Sequence, residues 1–146
     1  LFMAVGAVFY RMGSVDIKAF RGLGKHMPLT MAAFTIAGLS IIGVPLTVGF
    51  ISKWYLLSAL LEKGWWMIAV LVLLGSLLAL VYAWKVVEAA YFKKPIPNKR
   101  VVTEAPLSIQ APLWILIFAN IYFGIDARLS VQLAQSAAQN LFGVSL

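Results

Sequence analysis

The sequence predicts an all-α fold, a polytopic bundle of transmembrane helices with one helix broken by proline and glycine. Three observations predict it. The chain of 146 residues is 62% hydrophobic and only 12% charged, with a mean hydropathy of +0.93, whereas soluble domains are nearer half apolar and a quarter charged. Charged residues are absent from three stretches, 27–52, 64–84 and 105–125, which are 26, 21 and 21 residues long. Within the first of them stands Gly43-Val44-Pro45, a strong helix interruption. A helix needs roughly 20 apolar residues to cross a hydrocarbon core of about 30 Å, and backbone groups in lipid must be paired within the segment. A disordered tail, a coiled coil and most soluble enzymes are excluded.

Residues 1–10 are apolar and follow no basic stretch, so they read as the last turns of a first span whose start lies upstream, and the chain as a fragment. Residues 11–27 form a basic loop, with Arg11, Lys18, Arg21 and Lys25 against Asp16. Ser14 to Phe20 reads as a short interfacial helix, capped by Ser14 and ended by Gly22 and Gly24. Pro28 suits the first turn of the next helix, where its missing N–H costs nothing.

Residues 28–61 are apolar apart from Lys53. As one straight helix this stretch would run about 51 Å at 1.5 Å per residue, too long for a single crossing. As two spans, each half is short. Pro45 removes an N–H and clashes with the preceding turn, while Gly43 and Gly49 loosen the backbone on either side. Two half-helices are therefore expected, about 28–42 and 50–61, joined by a non-helical segment. Such backbone is tolerated at membrane depth only where it faces protein or water.

Residues 65–84 form a cleaner span, entered by Trp65 and Trp66 and left by Tyr82 and Trp84, the aromatic belts of a membrane interface. Residues 85–105 read as a second basic loop, partly extended at Pro95 and Pro97. The last span is 106–125, with Pro112 in its first turns. Residues 1–125 thus form the membrane part. The tail, 126–146, is mildly amphipathic, with Leu129, Leu133, Ala137 and Leu141 along one side, as in an interfacial helix. Lys and Arg number four in 11–27, one in 62–64, five in 85–105 and one in the tail. The positive-inside rule is met when 28–61 crosses once, which puts loops 11–27 and 85–105 in the cytoplasm.

The chemistry on offer is narrow. With no Cys, one His and five acidic residues, disulfides, iron–sulfur clusters and metal sites are not expected. The net charge of +7 sits in loops between apolar runs, so nucleic acid is not an expected partner. No cofactor fingerprint and no nucleophile with a base is present, and an enzyme working alone lacks support. Lys53 is the residue of interest. An isolated lysine in an apolar span is costly, and burial disfavours its charged form, which makes it a proton-carrier candidate. The alternative is a lysine snorkelling to the outer interface; the break at Gly43, Pro45 and Gly49 favours the carrier, because broken helices beside ionisable groups mark ion paths. Thr47 and Ser52, with Thr30, Thr35 and Ser40, offer hydroxyls to a water path or to freed backbone groups. Ser76 and Asn120 read as helix–helix hydrogen bonders, Lys85 and Glu88 as a surface ion pair, and His26 as an interfacial polar residue.

Gly43-Val44-Pro45, Gly49-Phe50 and Lys53 resemble the G-x-P-P-x-x-G-F-x-x-K pattern of antiporter-like membrane subunits. These are the Mrp-type sodium/proton antiporter subunits and the related proton-pumping subunits of respiratory complex I. Leu1-Phe2-Met3 with Gly6, Asp16-Ile17-Lys18, Gly22-Leu23-Gly24 and Met27-Pro28-Leu29-Thr30 fit the approach to that pattern. The resemblance implies the C-terminal part of a 14-helix subunit, running from the end of helix 11 through the broken helix 12 to helices 13 and 14. It implies a proton-relay role for Lys53, partner subunits in a hetero-oligomeric complex, and a place in the bacterial inner membrane. Leu46 stands where the family often has a second proline, which implies a softer break. Gly49-Phe50-Ile51-Ser52-Lys53-Trp54 and Glu88-Ala89-Ala90-Tyr91-Phe92 look more like the D-type Mrp subunit, with H+ and Na+ as the transported ions. Complex I subunits and their membrane-bound hydrogenase relatives are the close alternative; outside the family, the alternative is a structural membrane module.

Overall fold

Most helices here are apolar on all sides, and glycine and proline set several of their ends: Gly13 and Gly43 close α-helices at 12 and 42, and Pro28 and Pro106 stand where others open. The computed structural model describes residues 1–94, 103–128, 131, 132, 134, 136 and 137. In chain order they form α1 (Phe2–Met12), a 3-10 helix (Ile17–Phe20), α2 (Leu23–His26), α3 (Pro28–Ile42), α4 (Val48–Glu62), α5 (Trp66–Tyr91) and α6 (Leu107–Ile125). Among the described residues there is no strand. The fold is the all-helical bundle with one broken helix that the sequence predicts.

Gly13 ends α1 with a φ of 68°. The short helix expected at 14–20 is a 3-10 turn that begins only at Ile17, with Asp16 and not Ser14 at its N-cap; the Ser14 hydroxyl accepts the Asp16 N–H at 3.2 Å. The second basic loop is also shorter than expected, because α5 continues past Trp84 to Tyr91. Packing explains the extension. Ala89 and Ala90 are buried, the Gly22 N–H donates to Ala89 O at 3.1 Å, and Gly24 lies against the Tyr91 ring. Glu88 pairs with Lys93 at 3.3 Å rather than with Lys85, since the chain turns Lys93 back over the last turn of α5. In the tail, residues 128, 131, 132, 134, 136 and 137 are helical; Leu129, Leu133 and Leu141, on the expected apolar side, lie outside the described residues.

Helix α3 is the hub and touches α1, α2, α4, α5 and α6. The core gathers Ala4, Ala7 and Val8 of α1, Met31, Ala33, Phe34 and Ala37 of α3, and Leu113 and Ile117 of α6, closed at one end by Phe20 and Met27. Alanines at these contacts let helix axes approach closely, as membrane bundles require. Helices α5 and α6 are long and apolar enough to cross a membrane, yet only 17% and 22% of their most apolar windows are buried within the chain. A core helix of a soluble protein would be mostly buried. Their exposed Leu71, Leu78, Ile115 and Phe118 need lipid or further protein against them.

Candidate functional site: the helix break and Lys53

A helix end leaves four carbonyls without intrahelical donors, and a helix start leaves four N–H groups without acceptors. Between α3 and α4 the chain presents both within five residues, Gly43 to Thr47. On the α3 side, the Gly43 N–H donates to Leu39 O and Ser40 O at 3.0 and 3.1 Å, and the Val44 N–H donates to Leu39 O at 3.0 Å. Gly43 makes this turn with a φ of 92°, which favours glycine. Ile41 O and Ile42 O remain, and Lys53 takes them. Its Nζ donates to Ile41 O at 2.5 Å and to Ile42 O at 3.0 Å.

The third donor of the ammonium goes to Ser76 Oγ of α5 at 2.6 Å, and Ser76 in turn donates to Val72 O at 3.2 Å. An ammonium has three hydrogens and no acceptor capacity, so three oxygens match it one for one. Two are the terminal carbonyls of a helix, the end at which a positive charge is stabilised. Lys53 leaves α4 and turns back onto the end of α3, with its stem passing Gly43.

On the α4 side, the Val48 N–H donates to Asn120 Oδ1 of α6 at 3.2 Å, and the same oxygen accepts from Ser40 Oγ of α3 at 3.0 Å. Gly49 sits against Ser40 O so closely that any Cβ would overlap this backbone oxygen. Gly124, one turn beyond Asn120, also sits close to the break, since a Cβ there would lie 2.5 Å from Leu46 O. The break is held from outside by one face of α6.

Leu46 does not soften the break. It adopts a φ of 74°, a left-handed conformation closed to proline, whose ring holds φ near −65°. The helical run is fully interrupted from Gly43 to Thr47. Pro45 is exposed, and Thr47 is buried with its hydroxyl donating to Val44 O at 2.7 Å. Ser52 is exposed and donates to Gly49 O at 3.1 Å. Both hydroxyls are spent on nearby backbone, as is Thr35, which donates to Met31 O at 2.8 Å.

One residue that sequence reasoning missed is Glu104. Its carboxylate closes the far end of α3, accepting the Leu29 N–H at 2.7 Å, the Thr30 hydroxyl at 2.9 Å and the Gln110 amide at 2.6 Å. Arg11 donates to the Glu104 backbone oxygen at 2.6 Å and ties α1 to the same spot. The signal for it was a lack: α3 opens on Met27-Pro28 with no capping side chain and no acid in its first turn, so an acceptor had to come from elsewhere. Among the described residues no group of His, Cys, Asp and Glu has the makings of a metal site.

The model of the NADH:quinone oxidoreductase/Mrp antiporter transmembrane family matches residues 1–79, which include the break and Lys53. The NADH-quinone oxidoreductase subunit N of Desulforudis audaxviator is 38% identical over 137 residues, which cover 86% of this chain and 27% of that protein. The F(420)H(2) dehydrogenase subunit N of Methanosarcina mazei is 32% identical over 149 residues, covering 96% of this chain and 30% of that protein. In the solved Mrp complex from Dietzia sp. DQ12-45-1b, a chain superposes with a TM-score of 0.86 at 23% identity, covering 97% of this chain and 34% of that one; this is a likeness of fold. The chain therefore spans about a third or less of the length of these relatives. With its broken helix and the matching family model, the chain belongs to the NADH:quinone oxidoreductase/Mrp antiporter family of integral membrane subunits.

Proposed function

We propose that this chain carries the second proton-relay unit of a proton-translocating respiratory subunit of the subunit N type, with Lys53 as the group that takes up and releases the proton. The observation that carries the reading is the match of one ammonium to three oxygens at the break, Ile41 O, Ile42 O and Ser76 Oγ. When the proton leaves, the amine keeps two hydrogens and gains a lone pair. Backbone carbonyls have no hydrogen to offer it. The Ser76 hydroxyl does, by rotating from Val72 O toward Nζ. The site thus offers a partner to both protonation states, at the element of the fold where two half-helices meet.

Several parts of the wider picture belong to the same proposal. The two half-helices make one crossing, the basic loops at 11–27 and around Lys93 and Lys94 face the cytoplasm of a bacterial cell, and further subunits of a membrane complex pack on the exposed apolar helices. Relatives above 30% identity include the subunits N of NADH and F(420)H(2) dehydrogenases. They move the weight from the D-type antiporter, which the runs at 49–54 and 88–92 suggest, to a respiratory complex in which proton movement follows electron transfer elsewhere.

The test is Lys53→Ala and Lys53→Arg in the full-length subunit within its complex, reconstituted in vesicles. Proton translocation is lost in the alanine variant while the complex still assembles, and arginine, which holds its proton at all accessible pH, restores little. Normal translocation in Lys53→Ala rejects the role. Repeating the assay with and without Na+ separates the two couplings, since a dependence on Na+ returns the reading to an antiporter.

A further inference from the structure

The five residues between α3 and α4 include glycine, proline and a leucine in a left-handed conformation; covalent connection through such a segment leaves the relative placement of the two half-helices open. Yet Lys53 reaches the α3 carbonyls only when that placement is right. It sits five residues beyond Val48, about 7.5 Å along α4, and its acceptors lie on the last turn of the other half-helix. Something outside the break must set the register.

We infer that Asn120 is a positioning residue for Lys53, one whose side-chain oxygen locks the start of α4 to the end of α3. Asn120 Oδ1 accepts from Val48 N, the first residue of α4, and from Ser40 Oγ, in the last turn of α3. Ser40 directly precedes Ile41 and Ile42, whose carbonyls hold the ammonium. The two ends of the break are thereby stapled by side chains of opposite character. Lys53 brings donors to the carbonyl end of α3, and Asn120 brings an acceptor to the N–H end of α4. Loss of the Asn120 oxygen leaves the Val48 N–H and the Ser40 hydroxyl unpaired. The α4 start then shifts to find other partners, and the Lys53 contact goes with it. Because the inference concerns a residue that acts through Lys53, it rests on the relay reading, but its test does not.

The test uses the full-length subunit in its complex and reads the acylation of Lys53 by a membrane-permeant amine-reactive ester, followed by mass spectrometry of the peptide that carries it. An ammonium held by three oxygens has no lone pair and gives up its proton reluctantly, so it is acylated slowly; a released one yields the nucleophilic amine more readily. Asn120→Leu, of similar volume without the acceptor, raises Lys53 acylation about tenfold, the equivalent of about 1.4 kcal/mol. Asn120→Asp, which keeps an oxygen for both donors, stays near the parent. Proton translocation falls in Asn120→Leu together with the rise in Lys53 acylation. Acylation unchanged in Asn120→Leu, or Asn120→Asp behaving like Asn120→Leu, overturns the inference. Should Asn120→Leu fail to assemble, Asn120→Ser, too short to reach both donors, carries the same expectation and decides. Normal translocation by Lys53→Ala would reject the relay while leaving the acylation result to judge Asn120 by itself.

Discussion

Lys53 and Gly43 are packed as a unit: a Cβ on Gly43 would stand 3.0 Å from Lys53 Cδ and 3.5 Å from its Nζ, and Gly43 itself holds a φ of 92°. One glycine therefore serves two purposes. It makes the left-handed turn that ends α3, and it leaves room for the lysine stem to reach the carbonyls behind it. Gly43→Ala meets both constraints. The backbone conformation costs an alanine about 1–2 kcal/mol, and the new methyl group presses Lys53 away. Thermal unfolding of the complex in detergent is expected to show the stability loss, and vesicle assays a loss of translocation larger than the fall in assembled subunit. Translocation that merely tracks assembly would mean that the contact has no part in the relay.

Ser76 is the partner of Lys53 able both to accept and to donate. Ser76→Ala leaves the ammonium two carbonyls and the neutral amine no donor. A net hydrogen bond of about 1 kcal/mol corresponds to roughly a fivefold effect, so translocation is expected to fall by about that factor. Ser76→Thr retains the hydroxyl and recovers most of it. Equal rates in parent and alanine variant would assign Ser76 to packing alone.

Leu46 holds a φ of 74° with its side chain exposed. A non-glycine residue in the left-handed region is strained by roughly 1–2 kcal/mol. Leu46→Gly is expected to raise the unfolding temperature, its gain reduced by the greater freedom of glycine in the unfolded chain. Leu46→Pro, although it restores the pattern common in the family, requires a φ near −65° and is expected to lower stability or to force the break into another shape. A stabilising Leu46→Pro would show that the left-handed turn is not the native one.

Glu104 caps α3 at the end away from Lys53, with three donors on one carboxylate. Glu104→Ala strips an acceptor from the Leu29 N–H and the buried Thr30 hydroxyl. A lost cap costs about 0.5–2 kcal/mol, and hydrogen exchange at Leu29 is expected to accelerate. Glu104→Gln, which keeps one oxygen, loses less. Exchange at Leu29 indifferent to both changes would remove the cap.

Local covalent chemistry made some of this molecule readable in advance. Gly43 and Pro45 end a helix by the conformations they allow and forbid, so the broken helix follows from their presence in an apolar run. Charge-free stretches of membrane length announce the helical bundle for an equally local reason, the need to pair every backbone group in lipid. The isolation of Lys53 in an apolar run beside that break marked it as the residue of interest, and the resemblance of the Gly43–Lys53 pattern to antiporter-like subunits added the relay role. What escaped the sequence is the set of partners. Asn120 reaches Val48 across 72 positions, and Glu104 reaches Leu29 across 75. Such bonds form only once α6 and the segment before it lie against α4 and α3, and no spacing rule anticipates them. The far end of α5 escaped likewise, because residues 85–91 are charged enough to read as loop and become helix through Ala89 and Ala90 packing on Gly22 and Gly24. The sequence alone left open whether the Lys53 amine runs to the interface or turns inward. Tertiary structure decides it, because the two unpaired carbonyls of α3 become neighbours of Lys53 only when two half-helices and α5 are brought together.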